Sequence, residues 1–181
     1  MRINTTRFGE IDVKESEWIV MKGSILGFEH LNRFVLLMHE ENTPLCWLQS
    51  IEDPALAFVV VNPRIIKPGY NPVVYDGELE FLGIKNSEDI VLLVIVTVRS
   101  KPFRLTANLR APILVNAGNR TANQVVLDEP DYPIQYDMLD HKTDFDKGFS
   151  DIGGGMGGLC KLPLTNAAMQ SDRVKEEGRA V

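Results

Sequence analysis

The chain has 181 residues, a net charge of −6, 44% apolar residues and two cysteines. That length fits one domain with a tail, large enough to need no disulfide or metal staple. The charge argues against direct binding to nucleic acid or an anionic membrane, whose phosphates demand Lys and Arg, and suits a basic partner instead.

In chain order, residues 2–8 and 10–13 flank Gly9 and predict a hairpin. Short apolar runs follow: RFVLLM (Arg33–Met38), LCWLQSI (45–51) and AFVVV (Ala57–Val61), the last stopping at Asn62-Pro63. Their Val, Ile and Phe content and their lengths favour strands. A short helix is expected over 77–82, with Asp76 as N-cap, Glu78 and Glu80 near the positive helix end and Gly83 as the stop. Ser87–Asp89 predicts a further turn before the strand IVLLVIVTV (90–98). Phe103–Ala107, 113–115 and 124–127 complete the set. Many strands at short spacing predict an all-β fold, mainly an antiparallel β-barrel, with one or two short helices.

Composition shifts near His141. Residues 142–181 hold seven of the 14 glycines, with six Lys/Arg and six Asp/Glu, and are expected to form a flexible tail. Residues 1–141, the expected barrel domain, therefore carry the whole −6, as 13 basic and 19 acidic residues. No long apolar stretch follows the basic residues of the N-terminus, so no signal peptide is expected. The 90–98 run is shorter than the roughly 20 residues a membrane helix takes. A cytoplasmic location is the simplest expectation.

Few residues suit catalysis. GGGMGG (153–158) formally matches G-x-G-x-x-G, but no strand precedes it and no long helix follows, so it reads as linker. His30, His39 and His141 share no metal-binding spacing, and Cys46 and Cys160 form no C-x-x-C. No metal and no cofactor are expected. Cys46 reads as a small packed side chain. Glu52 and Asp53, before Pro54, are a carboxylate pair such as a β-barrel hydrolase would use. Adjacent acids on a strand point to opposite faces, however, and a proline turn in which Asp bonds local backbone fits better.

The segment NLRAPILVNAGNRTANQVVL (108–127) poses a different question. It is rich in Asn, Gln and Arg, yet has no acid, His or Cys. Such groups bond well and catalyse poorly, which suggests holding rather than transforming. The candidate partner-binding residues are Trp47, Gln49, Asp53, Asn108, Arg110 and Asn116. Each also has a structural reading: Trp47 as core, Arg110 as a lock between strands, and the amides as partners of the barrel's own backbone.

Five blocks then occur in one order: GFEHLNRFVLL (27–37), WLQSIEDPALAFVVVNP (47–63), LLVIVTV (92–98), TANLRAPILVN (106–116) and QVVL followed by Tyr132-Pro133-Ile134. Over about residues 1–138 the sequence resembles the FliW flagellar assembly factor family. It departs from the pattern before Gly27, where MKGSIL (21–26) has no proline. The resemblance implies a small β-barrel without enzymatic activity, a monomer when free. It further implies that the protein binds flagellin in the cytoplasm as a chaperone and binds the RNA-binding repressor CsrA, relieving its block on flagellin translation. Two such binding modes would compete or be coupled.

Overall fold

The computed structural model describes residues 1–38 and 43–139. The expected tail at 142–181, its boundary at His141, the 153–158 glycine stretch and Cys160 lie outside the described residues, as does His39.

The chain forms strands β1 (Arg2–Thr5), β2 (Gly9–Asp12), β3 (Trp18–Met21), β4 (Arg33–Met38), β5 (Cys46–Ser50) and β6 (Ala57–Val61). Helices α1 (Pro63–Ile66) and α2 (Asp76–Leu82) follow, then β7 (Ile90–Ser100), β8 (Phe103–Ala107), β9 (Ile113–Asn116), β10 (Thr121–Gln124) and β11 (Tyr136–Asp137). Strands β7, β6, β5, β4, β3, β10 and β9 are hydrogen-bonded in that order, and β9 pairs back onto β7. The sheet thus closes into the expected barrel, which leaves the ring without open edges. Its pairings are antiparallel except β3 with β10, where Thr121 lies beside Val20.

Period-two alternation explains the apolar runs. Phe34 and Leu36 of β4 point into the ring, while Val35 and Leu37 point outward beneath the β1–β2 hairpin. On β7, Leu93 faces the ring interior, and Leu92, Val94 and Val96 face an outer layer with Ile66, Leu82 and Tyr132. Both faces are dry, so these strands read as continuous rather than alternating apolar sequence.

Four local expectations are corrected. Asn62-Pro63 does not merely stop β6: the Asn62 carboxamide accepts from the Arg64 N–H at 3.0 Å and Pro63 opens α1. Helix α2 begins one residue earlier than expected, with Tyr75 at the N-cap position and Asp76 inside the first turn. Its end at Gly83 is as expected, with φ 68°, a left-handed conformation that glycine adopts without steric cost. The strand set also changes, with β3 and β11 added and the strand expected over 124–127 lying instead at Thr121–Gln124, and the N-terminal hairpin is shorter, ending at Thr5 and Asp12.

Candidate functional site

The polar residues of 108–127 first serve their own chain. Asn108 Oδ1 accepts from the N–H groups of Arg110 (3.1 Å) and Ala111 (3.2 Å), which folds residues 108–112 into a tight corner between β8 and β9. Arg110 Nε donates to the Tyr132 carbonyl at 3.0 Å, tying the corner to the 127–135 strap. Asn116 Nδ2, Asn119 Nδ2 and Thr121 Oγ1 all lie 3.0–3.1 Å from the Leu82 carbonyl, which has no intrahelical partner at the end of α2. Asn123 Nδ2 holds Glu78 of the same helix at 2.8 Å. The β9–β10 hairpin is therefore a clamp on α2.

Gln49 is fully buried, and its Nε2 lies 2.9 Å from the carbonyls of Ser50 and Leu56, 3.3 Å from that of Asp53 and 3.4 Å from that of Pro54. One amide thus organises the whole 50–56 turn. Asp53 Oδ1 accepts from the Ala55 N–H at 2.9 Å in that turn. The Glu52 carboxylate belongs to a separate network, accepting from the N–H groups of Asn32 (2.6 Å) and Arg33 (3.1 Å) and from Arg33 Nε (3.1 Å). Burial opposes its ionisation, but these donors outweigh burial and hold its carboxyl below the ordinary range. Trp47, half-buried on β5, meets Phe8 edge-on at 5.8 Å and carries Arg7 4.3 Å above its ring. Of the six candidate residues, Gln49 and Asp53 share one turn, Asn108 and Arg110 share another, Trp47 lies under the N-terminal hairpin, and Asn116 lies at the end of α2.

At one mouth of the barrel a half-open cleft of about 240 Å³ reaches into the ring. Its apolar wall comprises Ile25, Leu26, Phe28, Phe58, Ile95 and Ile134. Leu26 and Ile134 remain 59% and 62% exposed. Phe28 packs edge-on against Phe58 at 5.0 Å, which fixes the floor. Polar groups rim it: Asn108, Gln124, Gln135, Thr97, Thr106 and Arg99. Gln124 is itself locked, accepting from the Leu26 N–H at 2.9 Å and donating to the Ala111 carbonyl at 3.1 Å. No lining residue is an acid, His, Cys, Lys or Tyr. The cleft can bury apolar side chains and bond to backbone.

Of the six candidates only Asn108 lines this cleft. Sequence reasoning missed the remainder because they come from six separate places along the chain, joined only when the ring closes. The GFEH turn, with Glu29 Oε1 accepting from the Gly27 N–H at 2.9 Å, is the local signal that a shaped loop stands there.

The FliW protein family model matches residues 2–138. The chain is 49% identical over 142 residues to the flagellar assembly factor FliW of Syntrophus aciditrophicus (78% of this chain, 90% of the relative). It is 41% identical over 140 residues to that of Geobacter sulfurreducens (77% and 87%). A crystal structure of the flagellar assembly factor FliW superposes with a TM-score of 0.69 at 36% identity, covering 76% of this chain and 96% of that one. With its closed ring, short helices and five ordered sequence blocks, this chain belongs to the FliW family, whose relatives here are flagellar assembly factors.

Proposed function

We propose that this protein is a cytoplasmic flagellar assembly factor that works by holding partners, not by catalysis. It binds flagellin before export, and it binds the repressor CsrA and so relieves repression of flagellin translation. The observation that carries this reading is the cleft: apolar walls rimmed by amides, with no acid, His, Cys, Lys or Tyr among its lining residues. Flagellin and CsrA enter through the family resemblance. The acidic excess on residues 1–141 suits CsrA, which must present basic surface to bind RNA. An apolar groove suits a flagellin segment that would otherwise associate with its own kind. A hydrolase reading gains nothing from the geometry, since the Glu52 carboxylate accepts from the backbone N–H groups of Asn32 and Arg33 and that of Asp53 from the Ala55 N–H.

Calorimetric titration of the full chain with flagellin monomer and CsrA, separately and then in competition, tests the proposal. Two tight complexes that displace one another, the CsrA complex weakening as salt rises, are expected. No heat and no co-elution with either partner would overturn it.

A further inference from the structure

We propose that Arg99 and Arg104 form a carboxylate-holding rim on the cleft, which docks a partner protein segment that is apolar along its length and acidic at one point. The inference rests on the partner-holding function above and names the chemistry of the docked segment.

Strand β7 outruns the ring. Its pairing with β6 ends at Val96, while its pairing with β8 continues to Ser100 opposite Phe103. The last turns of the two strands therefore form a two-stranded ribbon beside the mouth. Alternation puts Thr97 and Arg99 on the same face as Ile95, the cleft side, and all three line the cleft. Arg104 lies directly opposite Arg99, and Thr106 opposite Thr97. Cross-strand neighbours share a face, so both guanidinium groups stand on the cleft side.

Two like charges directly opposite on a ribbon destabilise it. Both side chains are exposed. Among the described residues the ion pairs are Arg2–Glu10, Arg2–Asp12 and Arg33–Glu52, and neither Arg99 nor Arg104 takes part in one. The fold thus carries a repulsive pair for which its own described residues supply no counter-charge. The planar fork of Arg matches a carboxylate bidentately, and two forks facing each other define one site. The adjoining wall is apolar, with Leu26 and Ile134 left open, so the segment bearing that carboxylate has apolar neighbours. A polyphosphate would also attract guanidinium groups, but it would meet the repulsion of a surface with six excess acids. A single carboxylate on an apolar segment meets far less.

The test compares the full chain with its Arg99→Gln, Arg104→Gln and double variants. Each is titrated with flagellin, with CsrA and with a labelled single-stranded RNA, and melted thermally. Expected are melting temperatures equal to or above that of the parent, and affinity of the double variant for one protein partner lowered about tenfold or more, with a flatter salt dependence. If the parent binds a partner and the double variant binds both equally well, the rim is overturned while the partner-holding function stands. If the parent binds neither partner, that function fails and the docked segment with it. Melting temperatures lowered by several degrees with unchanged affinity would show that the arginines serve their own chain. RNA binding by the parent, lost in the double variant while both protein complexes persist, would reassign the rim to nucleic acid. Either of these last results overturns the proposal.

Discussion

The Tyr70 hydroxyl donates a 2.8 Å hydrogen bond to the carbonyl of Leu109, 39 residues away, and the two residues are 1% and 0% exposed. That bond fastens the segment after α1 to the corner that separates β8 from β9. The corner in turn sets Asn108 on the cleft rim, so a bond in the outer core positions the site.

Tyr70→Phe keeps the ring that packs 4.6 Å from Tyr132 but strands a buried carbonyl. A loss of about 1–3 kcal/mol is expected by urea denaturation. Burial, then the neighbouring Tyr132 and Glu129, push the Tyr70 phenol well above its ordinary value. Its contribution is therefore complete below the ordinary tyrosine range, near pH 10, and is lost as pH rises beyond it. The Phe variant should show a shallower decline in alkali, and equal slopes would remove Tyr70 from the account.

Glu52 gives a pH dependence of opposite sign. Despite the opposing effect of burial, the Asn32 and Arg33 donors lower its carboxyl in the fold. Its stabilisation is present above the ordinary glutamate value of about 4.3 and disappears as pH falls through the lower folded value. At neutral pH Glu52→Gln should cost about 1–2 kcal/mol, since the carboxylate's bonds to two backbone N–H groups weaken with its charge. The gap between parent and variant should close in acid. A gap that does not narrow as pH falls below the ordinary glutamate value would mean that packing, not charge, holds the turn.

Gln49 fills a niche that four carbonyls create, and among the described residues its own Oε1 has no partner. Gln49→Leu removes the donor, leaving carbonyls underused, at a cost of about 2 kcal/mol. Gln49→Glu places an acid against those oxygens and should be worse by several kcal/mol, or fail to give soluble protein. Guanidinium unfolding of the two variants ranks them. A glutamate variant as stable as the leucine variant would show that the turn does not depend on amide donation.

The long apolar runs made β4 and β7 legible, because a strand buried on both faces advertises itself through composition. Strand β3 was not. Its four residues, WIVM, gain strand pairing partly from β10, about a hundred residues on, which no local pattern encodes. Helix α1 was hidden by ambiguity: Asn-Pro punctuates the end of a strand and equally caps a helix, and the structure uses it for both. The bonding character of 108–127 was legible, and most of that bonding goes to the barrel's own backbone. The cleft was not legible, because Phe28, Phe58, Ile95 and Ile134 converge only through ring closure. Arg99 lies just past the strand expected over 90–98, and only the β7–β8 register places Arg104 opposite it.

Arg110 allows both of its sequence readings to be separated. Its Nε is committed to the Tyr132 carbonyl at 3.0 Å, which locks the strap onto the corner. Among the described residues that is the one bond its side chain makes, so the two terminal nitrogens keep donors for a partner's carbonyls or carboxylate. Arg110→Ala should therefore fold with a loss of about 0.5–1.5 kcal/mol, the ordinary net value of one half-exposed hydrogen bond. If the terminal nitrogens reach a partner, calorimetry should show weaker binding to flagellin or to CsrA. Arg110→Lys, which has the charge but not the fork, should then recover only part of the loss. If the alanine variant folds and binds both partners as the parent does, Arg110 is a lock between the corner and the strap and has no part in the interface.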